Sequence, residues 1–259
     1  MAIIKKFQER LRSDLAKRDH EVLQFVTELE KFLRTALPRA LVGISTGEMK
    51  GIEAASIIGS LSSSLQRAGL SDLLSKSADI HLNELDRTLK ALNLNADIKE
   101  ALPKTDATMI EQLIRFDTDA VAATIESEIG SIKPILMRAV LSNEMPDIGA
   151  IADGLGSAVA TSVSTEFDTA LSAFNRTVTT VKATDAGIDY FVYFGPDDNK
   201  TRPFCRARVD KVYTLAELRK MDNGQGLPVE QYLGGYNCRH HLAPVDLATA
   251  KELGYGRGV

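Results

Sequence analysis

The sequence has few cysteines, no long apolar run and no excess of basic residues. With only Cys205 and Cys238 among 259 residues, the chain does not have the pattern of a disulfide-rich secreted domain, and two such thiols more often pack or bind a metal. No stretch approaches the roughly 18 consecutive apolar residues of a membrane span, and the N-terminal segment becomes charged too early for a signal peptide. The formal net charge of −4 provides no overall basic field for nucleic acid. We therefore expect a protein that folds in the cytosol and makes no membrane contact.

The composition changes near residue 185. All six tyrosines and both cysteines lie beyond this position, whereas the preceding part is rich in Ala, Leu, Ile, Ser and charged residues. The hydrophobic content of 44% is enough for the cores of two domains. The sequence therefore predicts a mainly α fold, with an elongated helical bundle for assembly over 1–184 and a small α+β module over 185–259.

Apolar residues at three- and four-residue spacing predict helices throughout the first part. The expected helices cover about 3–37, 52–68, 71–92, a segment from Asp106 that is interrupted or kinked at Pro134, and 146–182. Pro38 should end the first helix, because proline disfavours helix in the residue before it. Gly69 should separate the second helix from the third, and Phe116 should lie on the apolar face of the fourth. The apolar stripes fit a bundle core, and the alternative is that part of the first or last helix is an assembly surface.

Beyond residue 185 the pattern indicates short strands and turns. Extended segments are predicted at Tyr190–Phe194, Val212–Tyr213 and 242–245. Thr214 and Glu217 form a capping box that should open a brief helix. The Arg202-Pro203 pair should be extended, and Gly234-Gly235 should turn the chain toward Cys238. The expected module is therefore a small α+β fold.

Four motifs follow one another in this module. They are D-x-x-T-R-P-x-C from Asp198 to Cys205, K-V-Y-T with its capped helix, D-N-G-Q-G-L-P, and G-Y-N-C-R-H. Over about 185–245 their ordered combination resembles the C-terminal domain of tailed-phage minor head, or head-morphogenesis, proteins. The segment Leu171–Arg176 is similar to the helix that leads into that domain. Residues 1–165 contain no motif that we can assign.

The resemblance implies a virion structural protein that is assembled in the cytoplasm of the host. Such a protein would be located at the portal vertex, at the connector or inside the capsid. It would form a multi-copy assembly by binding portal, connector or other head and tail proteins, and it would not act as an enzyme.

The cysteines and histidines of the module suggest a metal site. Cys205, Cys238 and either His240 or His241 offer the sulfur and imidazole donors that tetrahedral zinc prefers, and the aspartates at 197–198 offer an oxygen donor. The chain has no C-x-x-C pair, and the broader family carries additional Cys or His where this chain has Arg and Ala at 206–207. The hypotheses are a structural zinc, with Cys205, Cys238 and His240 as ligands, or two neighbouring buried thiols beside a hydrogen-bonded histidine without a cofactor.

A small basic cluster lies within the same module. It consists of Arg202, Arg206, Arg208 and Lys211. Residues 196–259 hold 10 Lys and Arg against 8 Asp and Glu, which is net +2, whereas 1–195 hold 21 against 27, which is net −6. The cluster is interpreted either as a solvated face or as a local contact with packaged DNA or with an acidic partner.

Two catalytic arrangements can be drawn from these residues. A cysteine could act as a nucleophile with His240 or His241 as its base, or the two histidines could work with Asp197 and Arg239 as a nuclease-like centre. Neither a nucleophile elbow, nor H-E-x-x-H, nor a phosphate-binding glycine loop accompanies them. We therefore expect no catalysis.

Overall fold

The computed structural model describes residues 2–48, 51–92 and 106–256, and these residues are mainly helical. The helices of the first part are α1 (Ala2–Ala40), α2 (Val42–Ser45), α3 (Gly51–Gly59), α4 (Leu61–Leu65), α5 (Ser71–Leu92), α6 (Asp106–Leu141) and α7 (Ile148–Asp185). Asp147 caps α7, because its Oδ1 atom accepts a hydrogen bond of 2.9 Å from the backbone N–H of Ala150. Within the described ranges, no helix is long and apolar enough to cross a membrane.

Pro38 was expected to end a helix and Pro134 to interrupt or kink one, and both lie inside continuous helices. Helix α1 continues through Pro38, and α6 continues through Pro134. A proline inside a helix costs about 3 kcal/mol, whereas one buried leucine side chain contributes about 1.5–3 kcal/mol. Leu37 and Leu41 are fully buried on either side of Pro38, and Leu136 is fully buried just after Pro134. Packing of the flanking turns therefore accounts for the continuation of both helices through their prolines.

Two further expectations in this region were wrong. The single helix expected over 52–68 is divided into α3 and α4 at Ser60 and continues into a π-helical turn at Gln66–Leu70. Gly69 in that turn has a φ of +119°, which confirms the predicted break before α5. Phe116 is 78% exposed, because the buried face of α6 follows a different set of positions. This face consists of Ile114, Val121, Ile125, Ile129, Ile132 and Leu136.

A three-stranded antiparallel sheet forms the centre of the C-terminal part. Its elements in chain order are β1 (Tyr190–Phe194), α8 (Pro203–Arg206), β2 (Lys211–Thr214), α9 (Leu215–Arg219), α10 (Val229–Tyr232), β3 (His241–Val245) and α11 (Leu247–Glu252). The strand order is β2-β1-β3, with Phe191 opposite Tyr213 and Tyr193 opposite Leu242. These elements confirm the expected strands and the small α+β module.

Of the two local sequence predictions around α8 and α9, one is confirmed in full and the other only in part. The capping box of α9 is present, because Thr214 accepts from the Glu217 N–H and Glu217 accepts from the Thr214 N–H. Arg202 is extended as expected, but Pro203 is the first residue of α8 instead of a second extended residue. Proline fits this position because the first N–H of a helix has no partner within the helix. Helices α8, α10 and α11 were not predicted.

The described chain divides into two compact units. The helical unit comprises Asp19–Ile80 and Arg115–Phe167, and its core includes an edge-to-face contact between Phe25 and Phe167, with ring centroids 5.1 Å apart. The sheet unit comprises Met1–Arg18, His81–Ile114 and Asp168–Val259. The module of the sequence analysis therefore lies in one unit together with the last turns of α7.

Both faces of the sheet are buried within the sheet unit. One face, with Phe191 and Tyr193, packs against both cysteines and the short helices α9 and α10. The opposite face, with Val192 and Phe194, packs against Ala250 of α11. A strand that is covered on both sides places every second side chain in the same core, and this brings Tyr193 beside the cysteines.

Candidate metal centre

The turn between β1 and α8 positions Cys205. The backbone N–H of Lys200 donates to Asp198 Oδ1 at 2.9 Å, and the Thr201 hydroxyl donates to the Pro196 carbonyl at 2.9 Å. Thr201 is buried and also accepts a hydrogen bond of 3.0 Å from the Asp198 N–H. These bonds complete the turn, and α8 then carries the Cys205 side chain into the core.

Ion pairs connect this turn to the last motif. Arg239 binds Asp198 through two hydrogen bonds of 2.8 and 2.6 Å, and Arg206 binds Asp197 at 2.9 Å. The hydrogen bonds from Arg239 hold the pKa of Asp198 well below its usual range. The two aspartate side chains therefore bind arginines, which corrects the expectation that they are oxygen donors for a metal.

Three buried donor groups meet beneath the turn. The Sγ atoms of Cys205 and Cys238 are 3.7 Å apart, and Cys238 Sγ is 3.7 Å from His240 Nδ1. All three donor atoms lie within 4.8 Å of one another, and the residues are at most 4% exposed. We call Cys205, Cys238 and His240 the Cys-Cys-His cluster. This buried cluster can hold a metal ion, as the sequence suggested for these three residues.

The surroundings of the cluster favour a negative charge on sulfur. The Gly234 N–H donates to Cys238 Sγ at 3.3 Å. A hydrogen bond from Cys205 lowers the pKa of the Cys238 thiol, and His240 and the Arg176 guanidinium lower it further. The pKa of Cys205 is raised in turn by that same hydrogen bond and by burial. Cys238 is therefore the more acidic thiol of the pair.

The side chains of Tyr193 and His240 each place a polar atom inside this core. The Tyr193 hydroxyl and His240 Nε2 are both buried, and the hydroxyl lies beside the Cys205 thiol. The Tyr193 and His240 rings lie 5.4 Å apart, and burial, followed by the neighbouring Cys238, raises the pKa of Tyr193. His240 Nε2 has no hydrogen-bond partner among the described residues, and a buried polar atom without a partner costs about 1–3 kcal/mol.

Helix α7 contributes a fully buried guanidinium beside the cluster. Arg176 is 1% exposed and donates to the carbonyl oxygens of Cys238 at 2.5 Å, His240 at 2.8 and 3.0 Å, and Gln231 at 2.9 Å. Burial lowers the pKa of Arg176, and the nearby Cys238 opposes this shift. Arg176 therefore fixes the backbone on which two of the three donors lie.

The two neighbouring histidines have different surroundings. His241 begins β3, and its Nδ1 atom is 3.4 Å from Asn175 Oδ1, while its ring lies beside Phe194 on the other face of the sheet. Burial and the charge of Arg176 hold the pKa of His241 well below its ordinary value. Of the two sequence alternatives, the structure therefore places His240 and not His241 with the cysteines.

The arginines of the predicted basic cluster contact the module itself. Arg202 donates to the Gly234 carbonyl at 3.0 Å, and Arg208 donates to the Phe204 carbonyl at 2.6 Å and lies over its ring at 3.6 Å. Lys211 at the start of β2 is exposed. A contact with DNA through these residues stays a prediction, and the arginines have internal roles that the sequence analysis did not foresee.

Three residues of the site were missed by the sequence analysis. They are Arg176, Tyr193 and Gly234. The resemblance of 171–176 to a family helix was a weak signal for Arg176, and the alternation of side chains along a strand is a signal that Tyr193 shares a face with Phe191. Only a three-dimensional structure shows that these residues surround the cysteines.

Comparisons with protein-family models, curated proteins and solved structures found no match for the chain. The resemblance to phage head proteins therefore rests on the motif residues alone.

Replacement of Gly234 by alanine tests the packing of the cluster. An added Cβ atom would lie 2.2 Å from Cys205 Sγ and 3.4 Å from Cys238 Sγ, and the backbone φ is not in the left-handed region. We expect Gly234→Ala to lower the free energy of unfolding by about 1–3 kcal/mol, because it overfills a packed core. Urea denaturation followed by tyrosine fluorescence measures this, since the chain has no tryptophan and all six tyrosines lie in the sheet unit.

Gly154→Ala in α7 is the control, since no atom lies within 4 Å of the added Cβ. Because Gly154 lies in the helical unit, far-UV circular dichroism follows the unfolding of this variant. It should leave stability unchanged or raise it by about 0.5–1 kcal/mol, because alanine favours helix. Equal stability of Gly234→Ala and wild type would contradict the close packing of the two sulfurs.

The Asp198–Arg239 pair should make stability depend on acidic pH. Because the folded-state pKa of Asp198 is depressed, its contribution is present at neutral pH and is lost as the pH falls below about 4 toward the folded-state pKa. Asp198→Asn should lower the thermal midpoint at pH 7, and its difference from wild type should narrow at pH 3. Asp86→Asn, which alters an exposed ion pair with Lys90 in α5, is the control. A difference that stays constant between pH 7 and pH 3 would count against the pair.

Proposed function

We propose that the chain is a structural protein of a tailed-phage virion, a minor head component at the portal vertex or connector. In this role it assembles in several copies in the host cytoplasm and binds portal, connector or other head and tail proteins. The observation that carries the proposal is the direct contact between residues of different motifs. Asp198 of the first motif binds Arg239 of the last, and Cys205 contacts Cys238.

Contacts between motifs matter because they explain why the motifs occur together. The second motif supplies the capping box at Thr214, and Asn223 of the third donates to the carbonyls of Leu227 and Leu233. Each motif thus stabilises a different turn of the same small core. The motif residues thus act together in one module, as members of a single domain motif would.

The enclosure of the reactive side chains supports a binding role over a catalytic one. Cys205, Cys238 and His240 are each at most 4% exposed, and Asp197 and Arg239 are engaged in ion pairs. A nucleophile or a general base has to reach its substrate within hydrogen-bond distance. Partner contacts are more readily made by the outer surface, where Ile52, Phe116 and Leu141 of the helical unit are 78–89% exposed.

Purified phage particles test the proposal. We expect the chain to copurify with virions through a density gradient and a high-salt wash, and to be detected by mass spectrometry at a fixed ratio to the portal protein. An abundant cytoplasmic host protein serves as the contamination control. Detection only in the lysate of infected cells, and never in washed particles, would contradict a virion role.

We also propose that the Cys-Cys-His cluster binds a structural zinc ion. Thiols and imidazoles are donors that Zn²⁺ binds in structural sites. The two Sγ atoms are 3.7 Å apart, and Cys238 Sγ is 3.7 Å from His240 Nδ1. The enclosed Tyr193 hydroxyl lies next to Cys205 and is a further polar group beside the cluster. A zinc ion would hold α8 and the start of β3 together, and this is a stabilising role.

Metal analysis of the purified protein tests this zinc proposal. We expect one zinc per chain in wild type, loss of the zinc in Cys238→Ser, and weaker retention in His240→Ala. His20→Ala, which removes an exposed histidine of α1, should retain zinc fully. The absence of zinc from wild type purified without chelators, together with a thermal midpoint that added zinc does not change, would refute the assignment.

A further inference from the structure

We infer that Arg176 couples the metal centre to helix α7, so that ion binding and docking of the last turns of α7 strengthen each other. This inference rests on the zinc proposal for the Cys-Cys-His cluster. It assigns Arg176 a positioning role, since its guanidinium contacts backbone carbonyls and no donor atom of the cluster.

The geometry of Arg176 gives the mechanical part of this coupling. Its planar guanidinium donates to the carbonyls of Cys238, His240 and Gln231 at the same time, over distances of 2.5–3.0 Å. The first two of these residues carry donor atoms of the cluster. By fixing their carbonyls, Arg176 restricts the peptide conformations that orient Cys238 Sγ and His240 Nδ1 toward each other. A flexible ammonium group has no fork of this kind.

Burial of Arg176 strengthens this constraint. Its guanidinium is enclosed, so its N–H groups have to keep their carbonyl partners. An ion that held Cys238 and His240 would hold two of those carbonyls in place, and Arg176 in turn holds the residues that carry the donor atoms.

Asn175 adds a second connection from α7 to this segment. Its side-chain amide donates to Glu84 at 3.0 Å and to Thr88 at 2.7 Å in α5, and its Oδ1 faces His241 Nδ1. Two successive residues of α7 therefore hold the chain immediately around the cluster. An ion that joins this chain to Cys205 would complete a continuous connection from α5 through α7 to α8.

Thermodynamic linkage makes the coupling measurable in both directions. We expect Arg176→Lys to raise the dissociation constant for zinc about 10- to 100-fold, which is the usual effect of groups that orient metal ligands. The measurement is a competition between the protein and a chromophoric chelator. Arg219→Lys is the matched control, because Arg219 lies in the same unit and pairs with Glu230 at the surface. Its dissociation constant should equal that of wild type.

Hydrogen exchange gives the second readout, and its wild-type measurement does not depend on how well the variant folds. In wild type, zinc should slow amide exchange both around residues 238–241 and in the last turns of α7. In Arg176→Lys, zinc should still slow exchange around 238–241 but should have little effect on α7. The visible spectrum of the Co²⁺-substituted variant should also shift from that of wild type, because the ligand geometry changes.

Each outcome distinguishes the two proposals. If wild type binds zinc but Arg176→Lys binds it equally tightly, or if zinc leaves α7 exchange in wild type unchanged, the coupling is overturned while the zinc site remains. If wild type binds no zinc, the zinc assignment fails and the coupling fails with it.

Discussion

The arrangement of the sheet unit depends on a positive charge in an apolar core. Arg176 cannot lose its proton readily, and an enclosed charge is tolerated only where its N–H groups are satisfied. The carbonyls of Gln231, Cys238 and His240 satisfy them, so the chain from α10 to β3 has to pass close to α7. That path brings Cys238 and His240 to a position beneath the turn before α8. The hydrogen bonds from Arg176 to these carbonyls thus help to set the position of the Cys-Cys-His cluster.

Contacts between residues far apart in sequence give the motifs their physical meaning. Asp198 and Arg239 are separated by 41 positions, and Cys205 and Cys238 by 33, yet both pairs are in contact. A single exposed ion pair contributes little to stability. In this turn, each ion pair is combined with a hydrogen bond to the backbone or to the buried Thr201. Arg206, for example, also donates to the Asp198 carbonyl at 2.7 Å. A small module with three short strands needs such cross-connections because its apolar core is limited.

Local signals predicted much of the fold, whereas the candidate site was only partly predictable. The α9 capping box was found because its side chains bond adjacent backbone groups. The β1 strand was found because a run of aromatic and β-branched residues favours a strand. Phe116 was misplaced because the face of a helix that becomes buried depends on its neighbours. The choice between His240 and His241 was open because consecutive residues near a strand point to opposite sides. Which side faces the cysteines depends on tertiary packing, which the sequence does not show. Arg176 could not be assigned, since its partners are carbonyls that carry no sequence signature.

Enclosure of the polar groups also bears on how such a module would bind a partner. The thiols, His240 and Arg176 are used inside the unit, so a partner would meet surface side chains and the backbone of the turns. Docking is less costly when the contacting loops already have their bound conformation, since little conformational entropy is then lost. The turn at 197–201 is held by internal hydrogen bonds and by arginines on two sides. In the proposed head protein, these hydrogen bonds and ion pairs would therefore act on assembly indirectly, by keeping the turn in one conformation.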